Sequence, residues 1–121
     1  MKRSLLVISL LDASLGNCKA GDWTSADTAR QVAVTAALVL DAAQTRDIKN
    51  YSTTWETNPV LGAHPSDNRV RNYFIGTALG HYAVARALPA GWPRQAWQYG
   101  WIAVEVVQIV KNKRAGFRMQ F

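Results

Sequence analysis

Three stretches of the chain carry apolar residues at helical spacing, each opened by a cap signal and closed by a breaker. The first follows Thr24 and Ser25, with Asp27 in the favourable first turn, and runs through the apolar Val32 to Ala43 to the cations Arg46 and Lys49. This predicts a helix over 25–48. The second begins after His64, Pro65 and Ser66. Tyr73, Phe74, Ile75, Ala78, Leu79, Tyr82, Ala83 and Ala87 recur at helical spacing before Pro89 and Gly91 stop it. The third starts at Pro93, a favoured first-turn residue, carries Trp97, Trp101, Ile102, Val104, Val106, Val107, Ile109 and Val110, and ends near the basic run from Lys111, before Gly116. Adjacent Val106 and Val107 break the alternation that a strand needs, and segments of about 20 residues suit a bundle. The expected fold class is all-α: a three-helix bundle preceded by a hydrophobic, signal-like N-terminal segment.

Each predicted helix holds one ionisable side chain near the middle of its apolar stretch: Asp41, His81 and Glu105. Buried charges cost several kcal/mol unless paired or neutralised. The economical arrangement is a shared polar cluster, joined by Gln44 and Thr45, that fixes helix register. A metal or catalytic site from the same residues is the sharper alternative, but three groups on three helices lack any local motif such as His-Glu-x-x-His. The loop at 50–66, punctuated by Pro59, Gly62 and Pro65, is expected to be ordered, because Tyr51, Trp55, Val60 and Leu61 anchor it. Glu56, Asn58 and His64 are its candidate recognition residues.

Composition narrows the picture. With 121 residues the chain is one domain in size, and 14 Lys and Arg against 8 Asp and Glu give a net charge of +6. Four cations, Lys111, Lys113, Arg114 and Arg118, sit in the last eleven residues and the others are scattered with no basic helical stripe, so nucleic acid is not an expected partner and a membrane-facing tail fits better. One Cys and two His supply no disulfide and no structural zinc pattern. No metal ligand, catalytic residue or cofactor is assigned.

Residues 1–18, MKRSLLVISLLDASLGNC, place two cations, an apolar run and small residues before the only cysteine. That order is the order of an export signal. It resembles a bacterial lipoprotein signal, in which Cys18 becomes the lipidated first residue; Asp12 and Asn17 depart from that pattern. The expected division is a signal-like segment at 1–18 and a single helical domain at 19–121. Acylation would anchor the domain without a spanning helix. Counting the helices as hypothetical spans, Arg46, Lys49, Arg69, Arg71, Lys111, Lys113, Arg114 and Arg118 fall on one side and Lys19, Arg30, Arg86 and Arg94 on the other. This again gives an exported N-terminus. Trp23, Trp55, Trp92 and Trp97 fall near segment ends, as interfacial aromatics do. The apolar stretches, at about 12–16 residues, are short for a hydrocarbon core of about 30 Å.

The segments DWTSADTARQ, LDAAQTRDI and WETNPVLGAHPS, with Val70, Tyr73, Phe74, Glu105 and Asn112, resemble a group of short phage and proteobacterial proteins labelled as lipoproteins or membrane proteins. The Glu-x-Asn-Pro-x-Leu-Gly-x-His-Pro-Ser stretch at 56–66 is the most specific part. The resemblance implies an envelope location and a phage or prophage origin, and carries no catalytic residues. The expected function is therefore a non-enzymatic interaction protein of the bacterial cell envelope, membrane-associated and assisting lysis or superinfection exclusion. Its expected partners are membrane lipid and an envelope protein. The alternatives are a small metal-dependent hydrolase using Asp41, His81 and Glu105, and a structural virion or integral membrane component.

Overall fold

The computed structural model describes residues 22–121, which form three helices: α1 Ser25–Thr45, α2 Asp67–Ala87 and α3 Trp92–Arg114. The lipoprotein-type segment, with Cys18, lies outside the described residues. Among the described residues no strand is present, and the class is all-α. The predicted first helix differs at its end: it closes at Thr45 into a short 3-10 helix, Arg46–Asn50. Asp47 explains the change. Its buried carboxylate accepts from Asn50 Nδ2 at 2.8 Å, from the Arg118 backbone N–H at 2.7 Å and from Gln120 Nε2 at 3.0 Å, so the turn is tied to the C-terminal tail.

The cap signals act as their chemistry requires. Thr24 and Asp27 form a reciprocal capping box, the Thr24 hydroxyl accepting from Asp27 N–H at 3.1 Å and the Asp27 carboxylate from Thr24 N–H at 3.0 Å. Ser66 accepts from Arg69 N–H at 3.2 Å. Gly91, at φ 95°, turns the chain into α3, a backbone conformation that side chains resist.

The core has an unusual composition. In α3 the inward stripe is Arg94, Gln98, Trp101, Glu105, Gln108 and Asn112, and in α1 it is Asp27, Gln31, Val34, Leu38, Asp41 and Thr45. Both follow the four-three alternation of a helix-packing seam, yet most members are polar. The apolar core proper is a small cluster of Val34, Leu38, Leu61, Val70 and Phe74. Correspondingly, Val32, Val39, Leu79, Val104, Val106, Val107 and Val110 point outward.

At one end the polar interior is built around Arg94 and Asp27. Arg94, with no exposed surface, donates to Asp27 Oδ2 at 3.0 Å, to the Ala85 carbonyl at 2.8 Å, to the Leu88 carbonyl at 2.9 Å and to the Asp22 carbonyl. It thereby caps the carbonyl end of α2 and pairs with the first turn of α1. Gln98 Nε2 donates to the Asp27 carbonyl at 3.1 Å and Gln98 Oε1 accepts from Arg30 Nε at 2.8 Å. Arg30 also pairs with Asp27.

Arg94→Ala should lower the unfolding free energy by about 3–5 kcal/mol in urea denaturation, since it removes the fully buried partner of Asp27, leaving only Arg30 and the Thr24 N–H, and strands three carbonyls. Arg94→Lys should recover only part, because one ammonium cannot span the fork's acceptors. Burial pushes the Asp27 carboxyl up, but the Thr24 N–H, Arg94, the Thr24 hydroxyl and Arg30 together hold it lower, at about 2 against an ordinary 3.8. Its stabilising contribution is thus complete above about pH 4 and should be lost as the pH falls through about 2, measurable as an acid limb that Asp27→Asn removes.

A polar cavity between the helices and the 50–66 loop

Toward the other end the three helices and the loop border a cavity of about 280 Å³ that is partly open to solvent. Asp41 and Thr45 of α1, Tyr73, Phe74 and Thr77 of α2, Trp101, Glu105 and Gln108 of α3, and Glu56, Asn58 and Leu61 of the loop line it. The loop is built around Asn58. Its carbonyl accepts from Leu61 and Gly62 N–H, both at 3.1 Å, its Oδ1 accepts from Val60 N–H at 2.9 Å, and its Nδ2 donates to the Tyr73 hydroxyl at 2.8 Å. Glu56 accepts from Asn58 N–H at 2.8 Å. Gly62, at φ 80°, lets the chain turn back so that Leu61 plugs the apolar core.

Asp41 and Glu105 face each other as a hydrogen-bonded carboxyl pair, with Asn112 Nδ2 donating to Asp41 Oδ1 at 2.8 Å. Burial raises both. Asp41 rises to about 6, with the nearby Glu56 charge adding to the effect, and Glu105 rises to about 7, pushed further by Asp41 itself. At neutral pH the pair therefore shares a proton. No N–H or hydroxyl group of the chain reaches Glu105 Oε2, which is buried.

The expected cluster of Asp41, Gln44, His81 and Glu105 is divided by the fold. Asp41 and Glu105 meet. Gln44 lies alongside, donating to the Ile109 carbonyl at 3.2 Å. His81 sits elsewhere, stacked on Trp97 at 5.3 Å and edge-on to Trp101 at 5.5 Å, with both ring nitrogens buried and unpaired. The reason is height. His81 lies close to the end of α2 at Ala87, about 9 Å along the axis, whereas Asp41 stands about 24 Å above the start of α1 and Glu105 about 20 Å above that of α3.

Of the loop candidates, Glu56 and Asn58 line the cavity and His64 is exposed away from it. Trp55 and Trp92 are exposed, while Trp97 donates from Nε1 to the His81 carbonyl at 3.1 Å and is partly internal. Trp23 packs edge-on against Tyr82 and beneath the Arg86 and Arg94 guanidinium groups at 4.9 and 5.1 Å. Asn112, Tyr73, Trp101 and Arg94 were not among the site candidates. The signal for Asn112 is its place on the four-three seam that also carries Glu105.

Among the described residues, no three His, Cys, Asp or Glu side chains are grouped closely enough to hold a metal ion. The site and fold together define a three-helix bundle with a polar interior and an acidic cavity partly open to solvent. Compared with family models, curated proteins and solved structures, the chain matches none.

The carboxyl pair and His81 bend stability in opposite directions with pH. The pair binds more protons folded than unfolded, so its contribution declines as pH rises from about 4 through about 7. Glu105→Gln should stabilise the protein at pH 8 by on the order of 2 kcal/mol and flatten that limb of a thermal-melting profile. Burial lowers His81 below 6.5, so its contribution is present above that pH and lost as the pH falls. His81→Phe should leave melting at pH 8 nearly unchanged and remove the loss below pH 6.5.

Proposed function

We propose that the protein is a non-enzymatic, membrane-associated interaction protein of the bacterial envelope, and that its α1–α2 face rests on lipid. The observation that carries this reading is the outward apolar surface. Two grooves, of about 340 and 670 Å³, share Thr35 and Val39 and so run together along α1 and α2. Val32, Val39, Leu40, Ile75, Leu79 and Tyr82 line them, and Leu79 is 65% exposed. A continuous apolar face of this kind is uncommon on a monomer free in water.

Charge supports lipid as the occupant. Arg46 and Arg71 border the groove at one end, and Arg86 stands over Trp23 at the other. An apolar strip between cations matches an acyl surface flanked by anionic headgroups. Among the described residues no helix is long and apolar enough to cross a membrane, so the face is read as lying against the bilayer. An envelope protein docked on the same strip is the second partner considered. The phage origin and the role in lysis or exclusion rest on the resemblance alone.

The test is flotation with vesicles. The protein should float with phosphatidylglycerol vesicles, less with phosphatidylcholine alone, and less again at high salt. Val39→Asp with Leu79→Asp should reduce vesicle partitioning at least about tenfold, since each fully buried aliphatic side chain contributes about 1.5–3 kcal/mol. Both side chains are exposed in solution, so folding should change by no more than about 1 kcal/mol each. Undiminished flotation of the double variant would remove the reading.

A further inference from the structure

We propose that the cavity between Asp41, Glu105 and Glu56 is a binding site for a small organic ammonium ion, an alkylamine or diamine. The inference goes beyond the membrane reading and does not depend on it.

Three observations converge. The first is charge without a counter-ion: three carboxyl groups line the cavity and no Lys or Arg does. At the opposite end of the same bundle, the buried Asp27 carboxylate is paired with both Arg94 and Arg30. The carboxylate at that end thus has its counter-ions within the chain, and the carboxyl groups of the cavity have none. The second is Glu105. Only 6% exposed, it lines the cavity, its Oε2 receives no N–H or hydroxyl bond from the chain, and its side-chain partner is another acid, Asp41. A buried acceptor left without a donor is costly, and an N–H from a ligand would satisfy it. The third is the wall. Tyr73, Phe74 and Trp101 line the same space, the kind of aromatic surface that attracts an ammonium group and its alkyl chain.

The geometry selects among cations. A metal ion needs several ligands within about 2–2.6 Å of one point. The three carboxyl groups are not grouped closely enough for that. An organic cation bridges such a spread, its ammonium on the Asp41–Glu105 pair and its carbon chain along the aromatics toward Glu56. At about 280 Å³ the cavity stands at the lower end of ligand pockets, which suits a molecule of up to about ten heavy atoms. The groups facing the pair are Asn112 and Gln108 from α3, Thr45 from α1, Tyr73 and Thr77 from α2, and Glu56 from the loop, none of them a cation. Ammonium binding would therefore displace the shared proton, and affinity should rise between pH 5.5 and 8.

The experiment is calorimetric titration of the full chain with butylamine, 1,4-diaminobutane, tetramethylammonium and magnesium chloride, at pH 5.5 and pH 8. Saturable binding of a primary amine, tighter at pH 8 and tighter than magnesium, is the expected result. Glu105→Gln and Asp41→Asn, each nearly isosteric, should weaken it at least about tenfold. Glu56→Gln, at the loop, should weaken the diamine more than butylamine. Circular dichroism melting of each variant separates lost binding from lost folding. The proposal is overturned by absence of saturable amine binding to the folded wild type. Binding that survives Glu105→Gln, or magnesium binding tighter than any amine, overturns it equally.

Discussion

Arg94 is a charged side chain with no access to water, and the rest of the bundle is arranged around its donors. Its guanidinium reaches the first turn of α1 through Asp27 and the carbonyl end of α2 through Ala85 and Leu88, while its own backbone belongs to the first turn of α3. A buried ion is tolerated only when its donors are used and its charge is met, and here both conditions hold. The consequence is register. Gln98 meets the Asp27 carbonyl and, two heptads further along both helices, Asn112 meets the Asp41 carboxylate, with the same offset of 71 residues in each contact. The clamp at one end thus sets which side chains face each other at the other.

A seam made mostly of polar residues leaves few places inside for the aliphatic ones. The small apolar cluster around Leu38 and Phe74 occupies the space between α1, α2 and the loop, and the valines of α3 are displaced outward. In water such a surface is unfavourable, at about 25 cal/mol for each Å² exposed. The fold therefore favours an environment that covers the outside, which is the physical content of the membrane reading. That environment need not be crossed: the outward apolar strip is bounded by Arg46 and Arg71 at one end and by Arg86 at the other, short of a full span.

The helices were legible because their ends are punctuated. Thr24, Ser66 and Pro93 mark starts, and the spacing of Tyr73, Phe74, Ala78 and Tyr82 gives the period of α2. What the apolar residues could not give was direction, because in α3 the inward stripe is carried by Arg94, Gln98, Glu105, Gln108 and Asn112, while Val104, Val106 and Val107 face out. Periodicity of hydrophobicity locates a helix without saying which face is inside when polar residues hold the seam. Asp41 and Glu105 were legible as a pair, since both interrupt apolar runs at similar height on parallel helices. His81 was not separable from them without measuring its distance from the end of α2. Arg94 did leave a trace: a cation in the first turn of a helix opposes the helix dipole, which implies a partner elsewhere.

The two ends of the interior differ in a way that stability alone does not explain. At the clamp Asp27, Arg30, Arg94 and Gln98 supply one another's partners. At the cavity, Asp41 and Glu105 are raised far above ordinary carboxyl behaviour, so at neutral pH the folded state bears the strain of holding them together. An amide at either position would keep the size and the link to Asn112's side of the seam while relieving that strain. Register does not need the pair, because Arg94, Gln98 and Gln44 already join the helices. For two acids placed face to face in a cavity walled by Tyr73, Phe74 and Trp101, a positively charged guest is the occupant whose chemistry would remove the repulsion, which is the physical ground of the ammonium proposal.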